Sequence, residues 1–268
     1  MKVLYVTTFN KDIWRVSASK MVDSFLRKKC YGDMLLCYEG FKFDIGSKKL
    51  IDQSIVDNSK LLTYDIEKDH FLNNWLDENK DVIPVEMGGQ ANRKKRPDVY
   101  LPWNFRAAGW FRKIASLNYA LKEYGKKYDC IIFVDADCIF TKSLPEKVVN
   151  SAFGKYSYFY HWGRDRPKKN LGVESGLIGF KNDNIGYNVL RIWIGKFKNK
   201  IFRRYLRWDD GGMFGNVVLE NPDIKGNDLV VNYKDKSKSA SHVINRGVFA
   251  DYVVHNKGTH KKTVVKGL

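Results

Sequence analysis

The stretch Ile131-Ile-Phe-Val-Asp-Ala-Asp-Cys-Ile-Phe140 sets two carboxylates at the end of a β-branched and aromatic apolar run. Such a run reads as a buried strand. Side chains alternate along a strand, so Asp135 and Asp137 are expected on one side of it. Carboxylates ending a buried strand are costly unless a cation meets them. Hard divalent cations prefer carboxylate and phosphate oxygens, so the pair suits a metal carrying a diphosphate. Far downstream, His255-Asn-Lys-Gly-Thr-His-Lys261 presents an imidazole, a glycine and a lysine in H-x-x-G-x-x-K spacing. A neutral imidazole can complete a metal shell, and Mn²⁺ accepts nitrogen more readily than Mg²⁺. Gly258 permits close backbone approach to a phosphate, and Lys261 offers it a point charge. Taken singly, each segment has a plainer explanation: a solvated acidic turn and a basic tail.

Several elements must position these residues. Lys2 to Thr7 reads as a first strand, followed by a helix from about Lys11 to Lys29 with Asn10 as its cap. Met34–Tyr38 and Leu61–Ile66 read as strands, and His70–Lys80 as a short helix. Gly88–Asp98 has loop composition with a basic cluster. Asn104 opens a long helix to about Lys126 that feeds the Ile131 strand. Tyr156–His161 and Val173–Phe180 read as strands, Ile185–Phe197 and Asp210–Leu219 as helices, and Asp228–Tyr233 as a late strand. Strands alternating with helices predict an α/β sheet.

Composition narrows the class. The 268 residues suffice for one large α/β domain or two small ones, and 44% apolar content with 14% aromatics supports a packed core. No apolar run reaches the roughly 18 residues of a membrane span. Cys30, Cys37, Cys130 and Cys138 show no CxxC spacing, which suits buried thiols in a reducing, cytoplasmic setting. For a viral chain that setting is the host's. The net charge of +17 favours anionic partners: nucleotide phosphates, an anionic acceptor, nucleic acid or a membrane surface. Lys outnumbers Arg, which argues against specific base-edge readout of nucleic acid.

The Asp135-x-Asp137 strand end followed by H-x-x-G-x-x-K resembles the nucleotide-sugar glycosyltransferases of the GT-A fold. The likeness is nearest to the glycogenin-like and bacterial galactosyltransferase-like retaining group, and phage and algal-virus glycosyltransferases look similar in layout. The resemblance implies a GT-A-like (Rossmann-like) mixed sheet flanked by helices, forming one catalytic domain over residues 1–268. A basic segment, 251–268, would close over the donor. Asp135, Asp137 and His255 would hold Mn²⁺, or Mg²⁺, on the diphosphate of a UDP-sugar. Gly258 and Lys261 would touch that diphosphate. Thr7, Thr8 and Phe9 would lie near the uridine, and Arg112, with Lys113 as fallback, would be the basic residue beside the donor.

Glu174-Ser-Gly-Leu-Ile-Gly-Phe180 resembles the family's small-residue strand beside the donor sugar, although Gly176 and Gly179 also suit plain strand packing. Trp208-Asp-Asp-Gly-Gly212 resembles its acidic helix start, although such residues are also ordinary caps. Asp209, Asp210 and Glu174 are therefore the candidates for directing attack on the sugar. Lys262-Thr263 stands where the retaining group continues Pro-Trp, which leaves stereochemistry open. Residues 30–100 match nothing in the family's pattern.

Rival readings remain. Haloacid-dehalogenase-like phosphatases also end an apolar strand in Asp-x-Asp, with a later acidic pair on Mg²⁺, for which Asp209-Asp210 could serve. That motif normally sits near the chain start, whereas more than 130 residues precede it here. A two-carboxylate glycosidase would not need the His/Gly/Lys segment. A basic nucleic-acid-binding protein would need exposed aromatics, yet most aromatics here follow core patterns.

Overall fold

The computed structural model describes residues 1–43, 60–82, 107–162, 172–230, 244 and 247–255. The first apolar run forms β1, Val3–Asn10. Asn10 then caps a helical stretch by accepting from the Ile13 N–H at 2.9 Å. This stretch runs Lys11–Ile13, passes a π-helical turn at Trp14–Ala18, and continues as α1, Ser19–Arg27. Next come β2, Asp33–Glu39, and β3, Leu61–Asp65. Asp69 caps α2, His70–Glu78, through the Leu72 N–H. The long helix α3 is Ala107–Tyr124, and β4 is Cys130–Val134. A short β5, Cys138–Phe140, precedes α4, Glu146–Phe153, which begins after Pro145 and stops at Gly154 with φ of 54°. The remainder is β6 (Tyr158–Trp162), β7 (Val173–Lys181), α5 (Asn184–Lys198), α6 (Asp210–Glu220), β8 (Asn227–Asp228) and β9 (Val253–His255).

Seven strands form one sheet in the order β3-β2-β1-β4-β7-β6-β8. Strands β1 to β4 are mutually parallel, and β7 runs antiparallel to both β4 and β6. The inner parallel strands β1, β2 and β4 are buried along most of their length, because helices cover both faces. One face packs Tyr5 and Phe159 against Phe25 of α1 and Phe153 of α4. The other packs Val6 and Phe133 against Trp75 of α2, Phe111 of α3, Trp193 of α5 and Phe214 of α6.

The chain steps outward from β1 to β3, then returns to place β4 on the opposite side of β1. The crevice beyond the carboxyl ends of β1 and β4 is thus a topological switch point, the usual ligand site of open α/β sheets. Because β7 runs backwards, its first residues also arrive there. A separate antiparallel pair, β5 and β9, sets Cys138 opposite His255.

The expected mixed sheet flanked by helices is present, with four differences. The late strand is limited to Asn227–Asp228 where described, and residues beyond 230 in that segment lie outside the described set. The reversed β7, the short β5 and β9, and helix α4 were not expected. Asn104 and the Gly88–Asp98 loop lie outside the described residues. Among the described residues, no helix is long and apolar enough to cross a membrane.

Candidate metal centre

β4 stops at Val134, one residue before the acidic pair. The Asp135 N–H donates to the Gly176 carbonyl at 2.8 Å, and the Cys138 N–H donates back to the Asp135 carbonyl at 3.0 Å. Asp135 and Asp137 therefore converge through a turn, and not by alternation along a strand as the sequence suggested. The pairing of β5 with β9 then delivers His255, which is 3% exposed. Its Nε2 lies 2.7 Å from Asp137 Oδ1 and 3.5 Å from Asp135 Oδ2.

One ligand atom from each of Asp135, Asp137 and His255 fits within 4.8 Å of the others. Six-coordinate ions with bonds of roughly 2.1 Å set neighbouring ligands about 3 Å apart and opposite ligands about 4.2 Å apart. The 2.7 and 3.5 Å separations from His255 Nε2 fall in the range for neighbouring ligands, and two carboxylates with one imidazole suit Mn²⁺ or Mg²⁺. Gly176 makes the convergence possible. A Cβ there would sit 2.8 Å from Asp135 Oδ2 and 3.2 Å from His255 Cε1. Cys138 is not a ligand in waiting. Burial pushes its thiol well above the ordinary range, and Asp135, Asp137 and Glu174 push it further.

Lys113 is the basic residue at this centre. Its ammonium lies 3.1 Å from Asp135 Oδ1, pairs closely with Asp210, and donates to both Ser175 oxygens at 3.2 Å. Burial alone would lower its pKa, but Asp135 and Asp210 outweigh that and hold it above the ordinary lysine range. Arg112 points elsewhere. It pairs with Glu39 at 2.5 Å and donates to the Ala108 carbonyl.

The acidic helix start is heavily engaged. Asp209 caps α6 through the Gly212 N–H at 2.9 Å and holds Arg207 through both oxygens at 2.8 Å. Asp210 accepts from Ser175 Oγ at 2.6 Å and from the Gly211 N–H at 2.9 Å, besides Lys113. Glu174, half-buried on β7, is near enough to Cys138 to act on its thiol.

An open cleft of about 370 Å³ lies at the carboxyl ends of β1 and β2, lined by Asn10, Lys11, Asp12, Glu39, Gly40, Glu67 and Arg112. Neither Asn10 nor Glu39 was singled out from sequence as a ligand contact. Asn10 read only as a cap, and Glu39 lies in a stretch without a recognisable motif. Of the expected uridine neighbours, Thr7 is buried and Thr8 is half-buried. Phe9 is 2% exposed and packs against Trp14, Phe41 and Phe43, so it belongs to the core and has no free face for a base. Gly258 and Lys261 lie outside the described residues.

No protein-family model matches this sequence, and no curated protein matches it significantly. Solved structures do resemble the fold. WbbM, a bifunctional glycosyltransferase in its apo form, superposes with a TM-score of 0.53 at 11% identity. The match covers 96% of this chain but 46% of WbbM, so the chain spans less than half of that protein. Mouse xyloside xylosyltransferase 1, apo form, gives 0.49 at 12% identity over 84% of each chain. The apo-form glycosyltransferase GlyE of Streptococcus pneumoniae TIGR4 gives 0.42 at 11% identity, over 85% of this chain and 45% of its own. The likeness to WbbM establishes a shared architecture: a mixed, mainly parallel sheet flanked by helices, as in GT-A-like glycosyltransferases.

Proposed function

We propose that this chain is a metal-dependent glycosyltransferase that moves a sugar from a UDP-sugar to an acceptor hydroxyl. The observation that carries this reading is the convergence of Asp135, Asp137 and His255 at the switch point of a glycosyltransferase-like sheet. These three residues would hold Mn²⁺ or Mg²⁺. Bound there, the ion would neutralise charge developing on the diphosphate as the nucleotide leaves.

The chain's own groups do the rest. Gly176 holds Asp135 through its carbonyl and leaves room for His255. The cleft by β2 lies two strand spacings, roughly 10 Å, from β4. Asn10 offers it an amide suited to a base edge, and Glu39, whose carboxylate is paired with Arg112, faces the same cleft. Gly258 and Lys261, three and six residues past His255, would add contacts to the phosphates. Asp209, Asp210 and Glu174 are the carboxylates that could act on the sugar, and the first two also hold Arg207, Lys113 and the start of α6. The resemblance favours a hexosyl donor and a retaining course over an inverting one. The acceptor is a glycan or similar hydroxyl compound, and the +17 charge suits an anionic one or one at a membrane surface. The chain acts as one catalytic domain, and its four buried free cysteines suit the cytoplasm.

The phosphatase alternative is weaker on this geometry. Its second acidic pair would have to be Asp209-Asp210, which is occupied by Arg207, Lys113 and the α6 amides. A donor screen tests the proposal: UDP release from a panel of UDP-sugars, with Mn²⁺ and with a chelator. The expected outcome is metal-dependent release from one or a few donors. Release that ignores the chelator, or phosphate release from simple monoesters, would contradict it.

A further inference from the structure

A lysine ammonium has three N–H donors. Around Lys113 Nζ stand four acceptors: Asp135 Oδ1 at 3.1 Å, Asp210 Oδ2, and the Ser175 carbonyl and hydroxyl at 3.2 Å each. The side chain is 5% exposed, and its head lies 4.4 Å from the centre of the Phe133 ring. The donors are therefore committed, and a phosphate could gain one only by displacing a carboxylate or Ser175. Each partner comes from a different element. Lys113 is on α3, Asp135 follows β4, Ser175 is on β7, and Asp210 opens α6.

We propose that Lys113 is a positioning residue and not a phosphate contact: it ties the metal-ligand candidate Asp135 to Asp210, with Ser175 as the third anchor. This inference rests on the metal-site reading above. It assigns Asp210 to the same brace, which leaves Asp210 no part in attacking the sugar. Metal ligands are held by partners of this kind, and losing such a partner typically weakens metal binding 10–100-fold.

Replacing the lysine alone would strand a buried carboxylate and alter the local charge, and both effects would blur the result. The test is therefore a charge-conserving pair, Lys113→Met with Asp210→Asn, which removes one positive and one negative charge together. Mn²⁺ binding is measured on the full-length protein without nucleotide, by the loss of the free-ion paramagnetic resonance signal. UDP affinity in saturating Mn²⁺ is measured separately. A brace predicts that nucleotide-free Mn²⁺ binding weakens about tenfold. Ser175→Ala, a milder change that keeps both charges, should weaken it in the same direction by a smaller factor. Unchanged Mn²⁺ binding in both variants, with only UDP affinity reduced, would overturn the brace and make Lys113 a phosphate contact. Should the paired variant fail to fold, Ser175→Ala decides alone: Mn²⁺ binding at the wild-type level overturns the inference. Wild-type protein that binds no Mn²⁺ would overturn the metal site and the brace together, so the two failures are distinct.

Discussion

Replacing Gly176 by alanine should damage the metal centre selectively. The added Cβ would lie 2.8 Å from Asp135 Oδ2, about 0.6 Å short of ordinary contact, and 3.2 Å from both His255 Cε1 and Ile244 Cδ1. The Asp135 carboxylate cannot simply rotate away, because its other oxygen is held by Lys113 at 3.1 Å. His255 cannot retreat freely either, since it is 3% exposed and paired through β9 to Cys138. Two of the three candidate ligands must therefore shift. The expected loss is roughly 10–100-fold in Mn²⁺ affinity, or about 1.4–2.8 kcal/mol. Overpacking should also cost about 1–3 kcal/mol of stability. Gly179→Ala separates the two effects. Its Cβ would lie 2.3 Å from Phe159 Cε1, a clash of pure packing on the same strand. That variant should melt roughly 2–10 °C lower and still bind Mn²⁺ like wild type. Thermal melts paired with Mn²⁺ titrations make the comparison. Gly176→Ala binding Mn²⁺ normally, or Gly179→Ala losing as much affinity, would refute the reasoning.

Other consequences are as direct. Asp209→Ala removes the α6 cap and the Arg207–Asp209 pair, so it should cost about 0.5–2 kcal/mol in denaturant unfolding and leave Mn²⁺ affinity intact; lost turnover at unchanged stability would instead favour a catalytic Asp209. Glu39→Ala should weaken UDP binding in calorimetry without touching nucleotide-free Mn²⁺ binding, because Glu39 lines the cleft and not the triad; equal UDP affinity would remove the cleft from the nucleotide site. Burial pushes the thiols of Cys37 and Cys130 from 9.0 to about 12. Above pH 9 the unfolded chain sheds these protons while the folded chain keeps them, so stability should be full below pH 9 and fall as pH rises toward 12. Equilibrium unfolding across that range checks the slope, and a flat profile would show that the thiols are not held neutral by the fold.

The strand at Ile131 and the two motif segments were legible because apolar runs and chemically distinctive side chains are local signals. Direction and pairing are not local. Nothing in Val173–Lys181 shows that it runs against its neighbours, although that reversal is what brings Ser175 and Gly176 to the metal centre. The three-residue strands β5 and β9 are too short for a periodic pattern, yet their pairing delivers His255. Which of Arg112 and Lys113 reaches Asp135 could not be read from sequence, because adjacent helix residues point about 100° apart and only packing decides which one faces the sheet. Phe9 read as a nucleotide neighbour from its place at the end of β1; three surrounding rings make it core instead. Asp209 and Asp210 match both a sugar contact and a helix cap in sequence; that Asp209 caps α6 while Asp210 bonds Ser175 and Lys113 is visible only in the structure.

Calorimetry of UDP in the presence of Mn²⁺ tests the central claim most directly, with wild type and Asp137→Ala compared. Asp137 supplies an oxygen 2.7 Å from His255 Nε2 and makes no described bond to Lys113, so its loss removes a ligand and spares the brace. The account predicts UDP binding that requires Mn²⁺ and that Asp137→Ala abolishes or weakens at least tenfold. UDP binding that is equal with Mn²⁺ and with a chelator, or equal in Asp137→Ala and wild type, would contradict it.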